Sequence, residues 1–143
     1  MLVLRAKWGA PSQCIVDLLA QHGLDQGRVH FTGDLTGDAH SKRCGACDVV
    51  VDTDNFNGIT TTATVLWTAT PVVTFPTVNN AGRCSATMLL AMNASELIAR
   101  DRHDYKRLLS LLVSARGRLA LRRLRAKIAA ARHESLLYKP RCV

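Results

Sequence analysis

Aromatic side chains and long apolar runs are scarce in this sequence. Phe, Trp and Tyr together make up 5% of its 143 residues. No stretch approaches the roughly 18 consecutive apolar residues that indicate a membrane-spanning helix, and the apolar run at the start is too short for a secretory signal. The sequence therefore predicts neither a transmembrane segment nor a membrane partner.

The cysteines lack the spacing of a disulfide framework or a complete zinc site. They are five in number and scattered: Cys14, Cys44, Cys47, Cys84 and Cys142. A chain of this length can bury a core without cross-links, so an odd, scattered set favours reduced thiols and an intracellular protein. Cys44 and Cys47 have the spacing of a zinc half-site or a redox dithiol, but no second pair completes four zinc ligands. A redox dithiol would open a helix after a strand, whereas this pair ends a predicted helix, so we expect neither a metal site nor a redox site here.

Excess positive charge is missing from most of the chain. Residues 1–100 carry 7 basic and 8 acidic side chains, whereas residues 101–143 carry 12 and 3. The formal net charge of +8 therefore comes from the last 43 residues. This composition predicts two parts, an α/β lobe over residues 1–100 and a basic helical segment over residues 101–143 that packs on it.

The basic segment combines arginines with an apolar series at helical spacing: Leu121, Leu124, Ile128 and Ala131. This pattern predicts an amphipathic helix packed on the lobe with a solvated basic face. The alternative is a binding surface for nucleic acid or anionic lipid. Tyr138 is the only aromatic residue after Tyr105, which disfavours base stacking, and we expect no nucleic-acid partner.

Short apolar runs alternate with helical patterns along the first hundred residues. Strands are predicted at Leu2–Leu4, Val29–Phe31, Val49–Val51 and Pro71–Phe75, with a turn at Trp8–Pro11 after the first. Helices are predicted from Ser12 as N-cap to Gly23, at Asp38–Cys47, at Thr60–Ala69, and at 82–92, 94–100 and 102 onward. This order is typical of an α/β fold with a doubly wound parallel sheet.

The same pattern indicates where a ligand would bind. The unbroken β-branched run Val49–Val51 predicts a strand that is buried on both faces, as parallel sheets require. Ligands of such sheets bind at the carboxyl ends of the strands. The relevant loops are therefore those at Thr32–Asp38, Thr53–Thr61 and Pro76–Gly82.

The most informative loop leads from Asp52 through an Asn57-Gly58 turn into a helix that opens on Thr60, Thr61 and Thr62. The unpaired N–H groups and the positive dipole end of that helix suit a phosphate group, and the hydroxyls add further donors. The alternative needs no ligand, because threonines cap helices and Asn-Gly pairs form turns.

The segment Asn57–Thr61, with Val65–Trp67 and Thr70–Thr74, resembles the C-terminal catalytic lobe of protein O-GlcNAc transferases and the related SPINDLY-type enzymes. The agreement also includes segments upstream and downstream, and in all it covers about residues 2–138: His40–Arg43, Asp48–Thr53, Arg83 and Ser95–Ala99. The resemblance implies a Rossmann-like lobe of a GT-B glycosyltransferase that moves GlcNAc from UDP-GlcNAc to Ser or Thr of proteins, in the cytoplasm or nucleus. It implies no metal or other cofactor.

The resemblance also implies roles for individual residues. Thr60 and Thr61, with Thr62 beside them, would contact the diphosphate. His40 would lie against the nucleotide and Arg43 would contact the uracil, while the backbone near Leu35 would pair with the base edge. It assigns no catalytic base, so the catalytic residues stay unknown.

Three positions depart from the family pattern. Ile59 replaces the usual His or Gly, Thr64 replaces an aspartate that binds ribose, and Gly37 replaces a lysine. The catalytic lysine, the N-terminal lobe and the helical repeats that such enzymes carry fall outside this sequence. We therefore expect the fragment alone to be inactive and to need a separate or upstream lobe. The alternatives are a non-catalytic remnant and a basic binding module.

Overall fold

The computed structural model describes residues 2–5 and 13–139. The chain has an α/β fold with short parallel strands. Its contacts divide it into two compact units, Met1–His40 and Ser41–Val143. The expected turn at Trp8–Pro11 and the N-cap at Ser12 lie outside the described residues.

In the first unit, a short parallel strand pair is connected through one helix. β1 (Leu2–Arg5) pairs with β2 (Val29–Thr32), with Leu2 opposite Val29. The helix between them is α1 (Gln13–Gln21), and Gly23 follows it with φ of 68°, the left-handed conformation in which many helices end. These strands and this helix confirm the sequence predictions.

In the second unit, the strands are shorter and the helices form most of the structure. α2 (Gly37–Ala46) begins in the first unit and continues into the second, where β3 (Val50–Val51), α3 (Ile59–Trp67), β4 (Val72–Val73) and α4 (Cys84–Ala91) follow it. β3 and β4 are parallel, with Val50 opposite Val72. The alternation of strands and helices is therefore as predicted up to α4.

The burial of β3 differs from expectation. Val51 is 52% exposed, so the run Val49–Val51 is not buried on both faces as predicted. Val72 and Val73 of β4 are fully buried instead. Both runs consist of β-branched residues, which form strands readily, but burial depends on what packs against the strand.

The segment after α4 was predicted less accurately. The expected helix at 94–100 is a single 3-10 turn, Ser95–Leu97, after which Ile98 forms a parallel bridge with Thr74. Extended backbone therefore replaces the second half of that helix, because the backbone of Thr74 beyond β4 offers a hydrogen-bonding partner. Thr74 donates to Leu97 O at 3.2 Å and accepts from Ala99 N at 2.8 Å.

Two helices complete the second unit. α5 (Arg102–Val113) and α6 (Arg118–Ala131) are joined by a 3-10 turn at Ala115–Gly117. Leu121, Leu124 and Ile128 of α6 are buried in the same core cluster as Leu66 and Leu89. Within the described residues, no helix is long and apolar enough to cross a membrane.

Candidate functional site

The loop from Asp52 to Gly58, termed here the site loop, is held at both ends by one carboxylate. Asp52 follows β3, and its Oδ1 accepts a hydrogen bond from the backbone N–H of Gly58 at 3.1 Å. Its Oδ2 accepts from the hydroxyl of Thr74, which follows β4, at 3.0 Å. Asp52 therefore joins the ends of both strands to the residue that precedes α3.

Asn57 is fully buried within this loop. Its Nδ2 donates to Thr53 O at 2.7 Å, and its Oδ1 accepts from the backbone N–H of Ser85 in α4 at 3.0 Å. Its own N–H donates to Ala81 O at 2.9 Å. Asn57, which the sequence indicated only as part of an Asn-Gly turn, therefore anchors the loop to α4. Local sequence could not predict this role, because Ser85 lies 28 positions away.

The three threonines of α3 lie in two different environments. Thr62 is buried, its hydroxyl hydrogen bonds with that of Ser85 at 3.0 Å, and its N–H donates to Gly58 O. Thr60 and Thr61 are exposed, and neither their N–H groups nor their hydroxyls donate to another of the described residues. The exposed donors at the start of α3 are therefore those of Thr60 and Thr61.

Aromatic and cationic side chains pack beside the site loop. The Tyr105 hydroxyl donates to Asp52 O at 2.6 Å. Burial raises the pKa of Tyr105 to about 12, and the carboxylates of Asp52 and Asp54 add to that rise. Arg102 forms an ion pair with Asp54 and lies 5.7 Å from the centre of the Phe75 ring. These contacts support the loop from the side of α5.

Gly82 permits a close approach of its backbone to the site loop. A Cβ at this position would lie 2.5 Å from Asp54 O, which is backbone and cannot move aside easily. Thr77 donates its hydroxyl to the same carbonyl at 3.2 Å. Arg83, which the resemblance includes, donates from Nε to Thr77 O at 2.7 Å.

The remaining predicted contacts are divided between the two units. Leu35 lies between β2 and α2 in the first unit and is 43% exposed. His40 is half-buried on α2 at the end of that unit, and Arg43 is half-buried on α2 in the second unit. His40 and Arg43 are three residues apart and therefore lie on one side of the helix. The second unit brings together the three threonines and the site loop.

The Cys44–Cys47 pair lies at the end of α2. Cys44 is buried, and burial raises the pKa of its thiol, which disfavours the thiolate that redox or metal chemistry requires. The Cys47 thiol donates to Arg43 O at 3.5 Å. The pair occupies ordinary helix-end positions.

Comparison with known proteins adds an independent observation to this geometry. The sequence model of Glycosyl transferase family 41 matches residues 3–142. The chain belongs to glycosyl transferase family 41. This confirms the resemblance that the segments around Asn57–Thr61 indicated.

The curated relatives that this chain matches are much longer than it is. It is 36% identical over 118 residues to the UDP-N-acetylglucosamine–peptide N-acetylglucosaminyltransferase of Caenorhabditis elegans, a match covering 82% of this chain and 10% of the relative. It is 33% identical over 72 residues to the probable enzyme of that name, SEC, from Arabidopsis thaliana, covering 50% of this chain and 7% of the relative. The chain therefore spans about a tenth of the length of these relatives.

A solved structure supports the fold assignment. The chain superposes on a mutant of the O-GlcNAc transferase of Thermobaculum terrenum with a TM-score of 0.77 and 24% sequence identity. The match covers 88% of this chain and 24% of the other. The α/β fold of this family 41 chain is thus shared with part of a known glycosyltransferase.

Proposed function

We propose that this chain is the UDP-sugar-binding part of a protein O-GlcNAc transferase, which moves GlcNAc from UDP-GlcNAc to Ser or Thr hydroxyls of proteins. The observation that carries the proposal is the set of exposed donors on Thr60 and Thr61 at the first turn of α3. Membership of family 41 supports the class of reaction. We also propose that the protein is located in the cytoplasm or nucleus and that the site needs no metal.

The chemistry follows from where negative charge develops. When the acceptor hydroxyl attacks the anomeric carbon, the leaving group is UDP, and the charge on its diphosphate increases in the transition state. Donors that are already oriented toward that charge stabilise it without reorganising. In the proposal, the N–H groups and hydroxyls of Thr60 and Thr61 supply this stabilisation, together with the positive end of the α3 dipole.

The proposal assigns distinct parts to the other predicted residues. His40 lies against the nucleotide, Arg43 contacts the uracil, and the backbone at Leu35 pairs with the base edge. Thr62, which the resemblance placed beside the diphosphate, instead supports the first turn of α3, because its buried hydroxyl hydrogen bonds with Ser85 and its N–H donates to Gly58 O. The nucleotide would lie at the carboxyl ends of the strands, as in doubly wound parallel sheets.

The departures from the family pattern favour a second candidate, a non-catalytic remnant that keeps the fold. Ile59 is partly exposed at the start of α3 and has no side-chain donor. The Thr64 hydroxyl donates to Thr60 O at 3.1 Å and cannot carry the charge of an aspartate. Gly37 has φ of 55°, a conformation that strains a lysine. We propose that the chain by itself transfers no sugar and needs a second lobe.

The third candidate, a basic nucleic-acid module, is disfavoured because part of the basic segment is used internally. Arg125 donates to Gly45 O at 2.7 Å and to Cys47 O at 2.8 Å. Arg132 donates to Trp67 O at 2.9 Å, and Lys127 forms an ion pair with Glu96. These cations anchor α6 and the residue after it to the rest of the second unit.

Calorimetric titration of the whole chain with UDP tests the proposal. The double variant Thr60→Ala/Thr61→Ala should bind UDP at least about tenfold more weakly, since hydrogen bonds to charged groups contribute about 1.5–3 kcal/mol each. Thr87→Ala, at an exposed threonine of α4, is the matched control and should bind as the parent does.

Several outcomes would contradict parts of this proposal. Absence of UDP binding, or equal binding by the double variant, would overturn the nucleotide site. Salt-sensitive binding of a short oligonucleotide without UDP binding would favour the basic module. Transfer of GlcNAc to a peptide by the chain alone would overturn the requirement for a second lobe.

A further inference from the structure

An apolar groove between α5 and α6 is separate from the proposed nucleotide site. Its volume is about 480 Å³, within the range of about 300–1,000 Å³ that ligand pockets span. Three of the leucines that line it are buried: Leu97, Leu112 and Leu124. Leu111 of α5 and Leu119 of α6 also line it, and they are 48% and 58% exposed. Exposed leucines on both helices therefore leave apolar surface uncovered.

Positive charge surrounds this apolar surface. Lys127 also lines the groove, but its ammonium lies 2.6 Å from the carboxylate of Glu96, which also lines it, so this pair contributes little net charge. Arg116 and Arg123 line it too, are exposed, and have no ion-pair partner within residues 13–139. The groove thus combines an apolar interior with two unneutralised guanidinium groups.

We propose that this groove binds an amphipathic helix of a partner protein, with leucine-like anchors on its apolar face and carboxylates beside them. A groove between two helices is a common receptor for such a helix, whose anchors recur at helical spacing. Arg116 lies in the 3-10 turn before α6 and Arg123 lies on α6, seven residues later, which places them roughly 11 Å apart along the helical backbone. Two carboxylates two turns apart on the partner match that separation, and charge complementarity selects an acidic helix over a basic one.

A membrane surface fits the same charges less well. Interfacial binding requires apolar side chains that project into the headgroup region. Three of the leucines that line this groove, Leu97, Leu112 and Leu124, are buried, so a flat bilayer would contact only the exposed leucines beside them. A narrow convex element such as a helix fills this shape.

A designed peptide provides the probe. It is a fluorescein-labelled helix of about four turns, with leucines at i, i+3 and i+7 and glutamates flanking them two turns apart. Fluorescence polarisation with the whole chain should show saturable binding. Arg123→Glu and Leu119→Asp should each weaken it by at least about tenfold. A peptide with lysines in place of the glutamates should bind weakly or not at all.

Matched controls distinguish binding in the groove from non-specific electrostatic or hydrophobic binding elsewhere on the surface. Arg122→Glu changes an exposed cation of α6 that does not line the groove, and Leu136→Asp changes a leucine that is 61% exposed elsewhere. Both variants should bind the peptide as the parent does. Circular dichroism establishes that each variant is folded, and if Leu119→Asp does not fold, Arg123→Glu and the lysine peptide decide the question.

Four results would overturn the proposal. The first is no binding of the glutamate peptide, and the second is equal binding by Arg123→Glu or of the lysine peptide. The third is binding to phosphatidylcholine–phosphatidylserine vesicles in the absence of peptide binding. If Arg123→Glu abolishes that vesicle binding, the groove would be assigned to a membrane surface. The fourth is self-association in sedimentation that Leu119→Asp abolishes, which would assign the groove to a second copy of this chain.

Discussion

The side-chain carbonyl of Asn57 accepts a hydrogen bond from the backbone N–H of Ser85 at 3.0 Å, across 28 residues of sequence. Through this contact, the start of α4 determines the shape of the loop that leads into α3. The amide of Asn57 completes the arrangement by donating to Thr53 O at 2.7 Å. The exposed donors of Thr60 and Thr61 are therefore positioned by a residue that contacts no solvent.

Replacement of Asn57 should destabilise the chain. Asn57→Ala removes both side-chain hydrogen bonds and leaves the N–H of Ser85 and the carbonyl of Thr53 without these partners. We expect a loss of about 2–4 kcal/mol in the free energy of unfolding, measured by urea denaturation. Asn55→Ala is the matched control, because Asn55 is exposed in the same loop, and its stability should change by less than about 0.5 kcal/mol. Equal stabilities of the two variants would contradict the anchoring role.

The buried hydroxyl pair of Thr62 and Ser85 should show energetic coupling. Thr62→Val keeps the side-chain shape but leaves the Ser85 hydroxyl unpaired, so it should cost about 1–3 kcal/mol. Adding Ser85→Ala removes the unpaired hydroxyl, and the double variant should be more stable than the sum of the single changes predicts. Additive changes in urea denaturation would show that the hydroxyls do not interact. Thr61→Val, on the exposed side of α3, should leave stability nearly unchanged.

The burial of the two tyrosines can be tested directly by spectroscopy. The sequence has no others than Tyr105 and Tyr138, and burial raises the pKa of each to about 12. The ultraviolet absorbance of phenolate should therefore rise with a midpoint near 12, whereas the unfolded chain should titrate near its usual value of about 10. Because the folded state holds these protons more tightly, stability should decline as pH rises from about 10 to 12. A midpoint near 10 in the folded chain would show that both rings are accessible.

Asp104 should make the second unit sensitive to acid. Its carboxylate accepts hydrogen bonds from Arg107 and from the backbone N–H of Arg100, and these lower its pKa to about 2. A lowered pKa gives stability that is present above the unfolded value of about 3.8 and is lost as pH falls toward 2. Thermal unfolding of the parent should show this decline over that interval.

Asp104→Asn provides the comparison for the acid range. The variant should be less stable than the parent at neutral pH and should lose less stability between pH 4 and pH 2, because the titrating group is gone. Asp101, whose carboxylate accepts from the N–H at position 104 at 2.7 Å, still caps α5 in this variant. Parallel pH profiles of the two proteins would contradict the role of Asp104.

Sequence patterns predicted those helices and strands whose formation depends on neighbouring residues in the chain. Gly23 ends α1, and the apolar runs at Val29 and Val72 form strands, because a cap or a β-branched run acts on its own stretch of backbone. The prediction of a helix at 94–100 was wrong after the first turn. Its second half pairs with Thr74, which lies more than twenty residues earlier. Local helical preference is weak and yields to such a partner.

At the candidate site, local features predicted where α3 begins but not the environment of each threonine. The motif around Asn57-Gly58 and the three threonines identified the family and the helix start, because those features are adjacent in sequence. The different environments of Thr61 and Thr62 were not predictable, although the two residues are neighbours. Which of them turns inward depends on Ser85, and the rotation of α3 about its axis is determined by packing against α4.

The sequence by itself determined the alternation of strands and helices up to α4, the concentration of positive charge after residue 100, and the resemblance to protein O-GlcNAc transferases. Each of these depends on composition, spacing or short motifs. Only the tertiary structure decided that Asn57 anchors the site loop, that Val51 is exposed while Val73 is buried, and that Arg125 serves the interior of the second unit. These outcomes depend on contacts between residues that are distant in sequence. Whether burying a side chain is favourable depends on the neighbours that folding brings into contact with it.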